Sequence, residues 1–151
     1  MYRRLNGNLE VFLVHPGGPF FVKRDDGVWS IPKGEIEDGE EGDLLAVARR
    51  EMEEETGCVV NGSFTSLGTI TQKGGKVVHA WAVEGDYDAD SAVSNTFPME
   101  WPPDSGRIQH FPEVDRAAWF TPLTARRKIK GRQFPLIERL VHIVDGKEGI
   151  G

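Results

Sequence analysis

The chain has 151 residues, 38% of them hydrophobic and 28% charged, which suits one domain built around one substantial core. A formal net charge of −6 argues against non-specific nucleic-acid binding, which needs a basic face, and means that an anionic ligand must be met by metal ions or local cations. The single cysteine, Cys58, excludes an internal disulfide and a cysteine-rich zinc site, and no apolar run approaches the roughly 20 residues of a membrane span.

Met1-Tyr2-Arg3-Arg4 carries no apolar leader, so the expected compartment is the cytoplasm, with no membrane partner. Residues 9–14 are rich in β-branched and aromatic side chains and predict a strand, closed by a His-Pro-Gly-Gly-Pro turn at 15–19. A second short strand is expected at 20–22 and another at 28–31, before a loop opened by Pro32-Lys33-Gly34. Asp43 is a candidate N-cap for a helix over Leu44–Thr56, which contains no glycine or proline, and Gly57 stands where that helix would stop in a left-handed conformation. Strands are expected at 63–71 and 77–83 around the Lys73-Gly74-Gly75-Lys76 turn. Both faces of the second are apolar, which predicts a central strand. Residues 84–113 lack periodicity and predict a long loop of the kind used as a lid or binding segment. A short strand at 117–120 then leads through Thr121-Pro122, an N-cap followed by a first-turn proline, into helices at about 122–130 and 134–144 broken by Gly131. No repeat or linker divides the chain, and residues 1–151 read as a single α/β domain.

The most informative element is the helix. At about 100° per residue, Glu51, Glu54 and Glu55 share one stripe, one turn apart, while Glu53 points away into solvent. Leu45, Ala48 and Met52 form an apolar stripe beside them that would seat the helix on a sheet. Three like charges on one face repel unless something neutralises them, and a hard divalent cation that prefers oxygen ligands would do so. Arg50 lies four residues from Glu54, near enough to orient a carboxylate. A solvated acidic face is the alternative that spacing alone leaves open.

Arg50-Glu-Met-Glu-Glu-Glu-Thr-Gly57-Cys58 resembles the second half of the Nudix box, G-x5-E-x7-R-E-U-x-E-E-x-G-U, and Gly34 with Glu40 matches the first half. Trp29-Ser-Ile-Pro-Lys-Gly-Glu35 also resembles the family's approach to this loop, so the box would span 34–58. The loop half departs from the pattern: nine residues separate Glu40 from Arg50 where the family has seven. Family spacing counted back from Arg50 reaches Gly42, which makes Glu40 a weaker ligand than the helical glutamates and leaves Glu41 as its alternative. The family's first strand is usually longer and more apolar than residues 1–5, so a short N-terminal strand is expected. Segments 12–24, 72–83 and 111–120 are similar to a bacterial branch of the family described as predicted nucleoside triphosphate pyrophosphohydrolases.

The resemblance implies an α/β/α sandwich with a mixed β-sheet between helices. It implies Mg²⁺, or Mn²⁺, held by Glu51, Glu54 and Glu55, with Glu40 and the Gly34 carbonyl as further ligands. Arg50 would orient the carboxylates, and Glu51 or Glu54 would act as general base. The implied reaction is hydrolysis of a phosphoanhydride bond in a nucleoside diphosphate linked to another moiety. Dinucleoside polyphosphates and (d)NTPs come ahead of ADP-ribose or sugar nucleotides, and a non-catalytic nucleotide-binding module is the rival. The expected partner is a small-molecule nucleotide; oligomeric state is open. Lys33, Lys73 and Lys76 are candidates to meet phosphates, the alternative being solubilising turn residues, and Trp101 or Phe97 to stack on a base or cap the site, the alternative being a packed satellite cluster. Glu100 and Glu113 stand where relatives bring in another ligand or base from a late loop. His15, His79, His110 and His142 lack metal-ligand spacing, and His79 reads as a core or pocket residue.

Overall fold

Strand alternation in residues 9–14 puts Val11 and Leu13 on one face and Phe12 and Val14 on the other, and all four are buried. A strand apolar on both faces needs a layer on each side, and the computed structural model shows both layers. It describes residues 1–33 and 42–149, with side chains through Asp145, so Gly34, Glu40 and Glu41 lie outside the described residues. Among the described residues the elements run β1 (Tyr2–Leu5), β2 (Asn8–Pro16), α1 (Leu44–Thr56), β3 (Thr65–Thr71), β4 (Val77–Ala82), β5 (Thr96–Glu100), β6 (Ile108–Pro112), β7 (Val114–Phe120), α2 (Pro122–Lys128) and α3 (Phe134–Gly149).

β2 is the middle strand of an antiparallel trio ordered β1-β2-β7, with Val11 opposite Phe120 and Val14 opposite Ala117. On its Val11–Leu13 face pack Ala125, Ile129, Ile137, Leu140 and Val144, from α2, α3 and the segment between them. On its Phe12–Val14 face pack Met52 of α1 together with Cys58, Val60, Val83 and Ala117. Burying a Phe12 or Leu13 side chain this completely contributes about 1.5–3 kcal/mol each. The chain therefore has the helix–sheet–helix layering of an α/β/α sandwich. Its ladders are antiparallel, and parallel pairing enters through bridges of Tyr2 with Glu84 and Trp29 with Ile129. β1 is short, four residues, and turns into β2 at Asn6 and Gly7, both at positive φ.

Several expectations need correction. Residues 20–22 form turns rather than a strand: Gly18 takes φ 97°, and the Phe21 and Arg24 amides donate to the Gly18 and Phe21 carbonyls. β4 is not central: among the described residues its one ladder is with β3, and Val77 and His79 are exposed while Ala80 and Ala82 are buried. Its second apolar face borders a cavity and not another strand, which is why both faces read as core. Residues 84–113 are not a structureless loop. They hold a short 3-10 turn at Ala89–Ser91 and the β5–β6 hairpin, in which Phe97 faces Phe111 and Pro98 faces His110. Prolines in these two strands masked the alternation, and they are tolerated because the pair stands apart from the main sheet. The buried face of α1 also differs from the expected stripe, running Val47, Glu51, Met52 and Thr56.

Candidate active site

α1 forms where its local sequence dictates. The Asp43 carboxylate accepts from the Ala46 amide at 3.1 Å, and Gly57, at φ 78°, turns its amide back to the Glu53 carbonyl at 2.7 Å. The end of the helix is then pinned from outside. Thr56, fully buried, donates through its hydroxyl to the Met52 carbonyl and accepts from the Cys58 amide at 3.1 Å. The Asn95 amide donates to the Glu54 carbonyl at 2.8 Å and the Val93 amide to the Thr56 carbonyl at 3.0 Å, satisfying helix-end acceptors that would otherwise need water.

The same backbone chain continues to Glu113. Its amide donates to the Asn95 carbonyl at 2.9 Å, and its carbonyl accepts from the Gly17 amide at 3.0 Å. Glycine is required at 17, since a Cβ there would lie 1.9 Å from the Pro112 carbonyl oxygen. Glu113 is thereby fixed within electrostatic reach of Glu51 and Glu54. Burial first, then those two carboxylates, raise its carboxyl above the ordinary range. Glu100, the other late-loop candidate, is exposed on the β5–β6 hairpin.

The helical glutamates occupy different surroundings. Glu51 is buried and takes a hydrogen bond from Arg50 Nη2 at 2.9 Å. Glu54 is more open, with Arg50 Nε 3.7 Å from its Oε1. Glu55 accepts from the Lys33 amide at 2.5 Å, yet burial, followed by the charges of Glu51 and Glu113, pushes its carboxyl up to about 8. Among the described residues no three acidic, histidine or cysteine groups close into a ready-made cation site. Glu51 is hydrogen-bonded to Arg50 and Glu55 to the Lys33 amide, and the loop half of the motif falls outside the described residues. The donor set nevertheless fits a hard divalent cation: the neighbouring groups are all carboxylates, and burial, then the charges of Glu51 and Glu113, raise the Glu55 carboxyl in a way that a bound cation would offset.

Beside the cluster lies a cavity of about 820 Å³, within the range that holds a nucleotide. Glu51, Lys33, Lys76, His79 and Trp81 border it amid largely apolar walls from β2, α1, β4 and α3. His79 is thus a pocket residue and not a core one. Lys73 is exposed in the β3–β4 turn, away from the cavity wall, and Trp101 packs edge-to-face on Phe20 at 5.4 Å beside the β5–β6 turn. Lys130, between α2 and α3, is tied by its amide to the Trp29 carbonyl at 2.9 Å; no spacing in the sequence marks it.

A family model described as NUDIX domain matches residues 2–140. Among solved structures, the chain resembles the NUDIX domain of Shewanella oneidensis NrtR, cocrystallised with ADP ribose, at 18% identity and TM-score 0.63 over 95% of this chain and 82% of that one. It resembles a C. elegans Ap4A hydrolase in a binary complex at 23% identity and TM-score 0.61, covering 96% and 93%. The E. coli ORF135 protein is similar at 19% identity and TM-score 0.51, covering 92% and 83%. No curated protein matches the chain by sequence. At these identities the structural likenesses establish the fold alone.

Proposed function

The chain belongs to the NUDIX domain family and is a Nudix hydrolase, and on that premise we propose that it cleaves a phosphoanhydride bond in a dinucleoside polyphosphate or (d)NTP. The observation that carries this reading is the crowding of the Glu51, Glu54, Glu55 and Glu113 carboxylates beside a cavity of nucleotide size with Glu51 on its wall.

Nudix hydrolases use divalent metals, and Mg²⁺, with Mn²⁺ as a substitute, is the ion we assign to Glu51, Glu54 and Glu55. Bound there, it supplies charge neutralisation of the diphosphate and lowers the pKa of nearby water. The chain's own groups do the rest. Arg50 hydrogen-bonds Glu51 at 2.9 Å and lies 3.7 Å from Glu54, so its charge sits between the two carboxylates and orients Glu51. A general base must reach a water molecule, and the Glu54 side chain is 41% exposed against 11% for Glu51. Glu54 is therefore the group that takes the proton. Lys33 and Lys76 border the cavity where phosphates would enter, and Trp81 offers an aromatic face to a base. Such a reaction needs positioning and charge stabilisation and no covalent intermediate. The likeness to the Ap4A hydrolase supports the first substrate class. The NrtR domain seen with ADP ribose keeps sugar-linked diphosphates as the second.

The test is a hydrolysis screen of dinucleoside polyphosphates, (d)NTPs and ADP-ribose with Mg²⁺ or Mn²⁺, run beside Glu54→Gln. Metal-dependent turnover by the wild type alone is expected. Equal, metal-independent turnover by both proteins would place the chemistry elsewhere, and nucleotide binding without turnover would make the chain a non-catalytic module.

A further inference from the structure

Among the described residues β3 and β4 ladder with each other and with no strand of the β1-β2-β7 sheet. Just past β4 the chain is tied down by backbone: the Tyr2 amide donates to the Val83 carbonyl at 3.0 Å and the Gly85 amide to the Tyr2 carbonyl at 2.9 Å. At β3 the tie is a side chain. One terminal guanidinium nitrogen of Arg139, on α3, donates to the carbonyls of Leu67 and Thr69 at 2.9 and 2.8 Å. Both carbonyls belong to a bulge: the register slips between Ser66 and Gly68, Leu67 is the extra residue, and Gly68 takes φ 78°.

This bulge stands behind the cavity beside the carboxylates. Leu67 borders the cavity, and the residues flanking the bulge lie opposite cavity-lining side chains of β4: Ser66 faces Trp81 and Thr69 faces His79. Leu136 and Leu140, on either side of Arg139 in α3, border the same cavity and pack with Leu67. That apolar contact is non-directional and would hold the layers together at more than one setting. Two charge-assisted bonds from one nitrogen are directional, and they select where along α3 the strand sits.

We propose that Arg139 is a positioning residue for substrate binding: by holding the Gly68 bulge on α3 it sets where His79 and Trp81 stand on the cavity wall, and with that the fit of the moiety carried by the cleaved diphosphate. This role deepens the hydrolase reading above and rests on it for its ligand. The carboxylates of α1 are held separately, by the Val93 and Asn95 amides and the Gly57 turn, so the clip governs binding and leaves the chemical step alone. A wall that seats a non-reacting group makes the same contacts in the ground and transition states, and its displacement is read in KM.

The experiment compares wild type with Arg139→Met, which keeps an apolar stem and removes the donors, and with Arg139→Lys. Because both bonds leave one nitrogen, an ammonium group can replace them. Arg132→Gln, an exposed cation elsewhere, is the control. Arg139→Met should raise KM for each nucleotide hydrolysed about three- to tenfold, with kcat and Mn²⁺ affinity within about twofold, and Arg139→Lys should recover most of the loss. In ¹H–¹⁵N spectra the Trp81 indole resonance should move in Arg139→Met and return in Arg139→Lys, while the Gly57 amide stays in place. Unchanged KM, a fall in kcat together with Mn²⁺ affinity, or an unmoved Trp81 indole would overturn the assignment. If Arg139→Met does not fold, Gly68→Ala takes its place with the same outcomes, since alanine at φ 78° strains the bulge. If the wild type hydrolyses nothing, the hydrolase reading fails by itself, and the Trp81 indole decides the clip.

Discussion

Replacing Glu55 by glutamine should make the metal-free protein less sensitive to alkali. In the fold the Glu55 carboxyl is pushed up to about 8 from an ordinary 4.5, by burial and then by Glu51 and Glu113. Between those values the folded chain keeps a proton that the unfolded chain has lost, so stability falls as pH rises through the window and levels off above about 8. At about 1.4 kcal/mol per unit the ceiling is about 5 kcal/mol, and relaxation around a partly buried group should leave a few kcal/mol. Glutamine keeps an acceptor for the Lys33 amide without the charge. Urea unfolding in EDTA at pH 5 and pH 9 should therefore show wild type losing a few kcal/mol more than Glu55→Gln, and excess Mg²⁺ should restore the wild type at pH 9. Parallel pH dependence in the two proteins would refute the picture of a carboxylate cluster short of positive charge.

Glu54→Gln should lower kcat by a factor of about 10² to 10⁴ with the fold intact, as expected for loss of a general base, and a loss below about threefold would move that role to Glu51. Gly17→Ala forces a Cβ to within 1.9 Å of the Pro112 carbonyl, and should cost about 1–3 kcal/mol in thermal unfolding, with loss of activity as Glu113 shifts. A melting temperature unchanged by that substitution would mean that the contact at Glu113 yields freely. Asp43→Ala removes the cap on α1 and should destabilise by about 1 kcal/mol in chemical denaturation, with the metal-binding residues retained.

The cap, the helix and its glycine stop were readable from residues 43–57 because each depends on local backbone chemistry: a carboxylate that accepts from the third amide, and a left-handed glycine. Strands at 9–14 and 117–120 were readable for a similar reason, being apolar runs bounded by turn residues; the pairing of β2 with β7 extends them to 8–16 and 114–120, taking in His15 and Pro16 that read as turn. What sequence left hidden depends on partners distant in the chain. The β5–β6 hairpin carries proline in both strands, so its pairing appears only when residue 97 meets 111. The edge position of β4 was hidden because a cavity wall and a core face use the same side chains. Glu113 was one of two candidates in sequence. The backbone chain through Asn95, which settles its place beside Glu51 and Glu54, spans elements far apart in the chain. Lys130 had no signal, because the contact that places it, its amide on the Trp29 carbonyl, joins residues far apart in the chain.

Cation binding to the carboxylates of α1 is tested without a substrate by Mn²⁺ titration followed by electron paramagnetic resonance. We predict saturable binding in the wild type that is at least about tenfold weaker in Glu51→Gln and in Glu54→Gln, since each substitution removes one charged oxygen ligand. Binding of equal strength in all three proteins, or none in the wild type, would contradict the assignment of the metal to this helix.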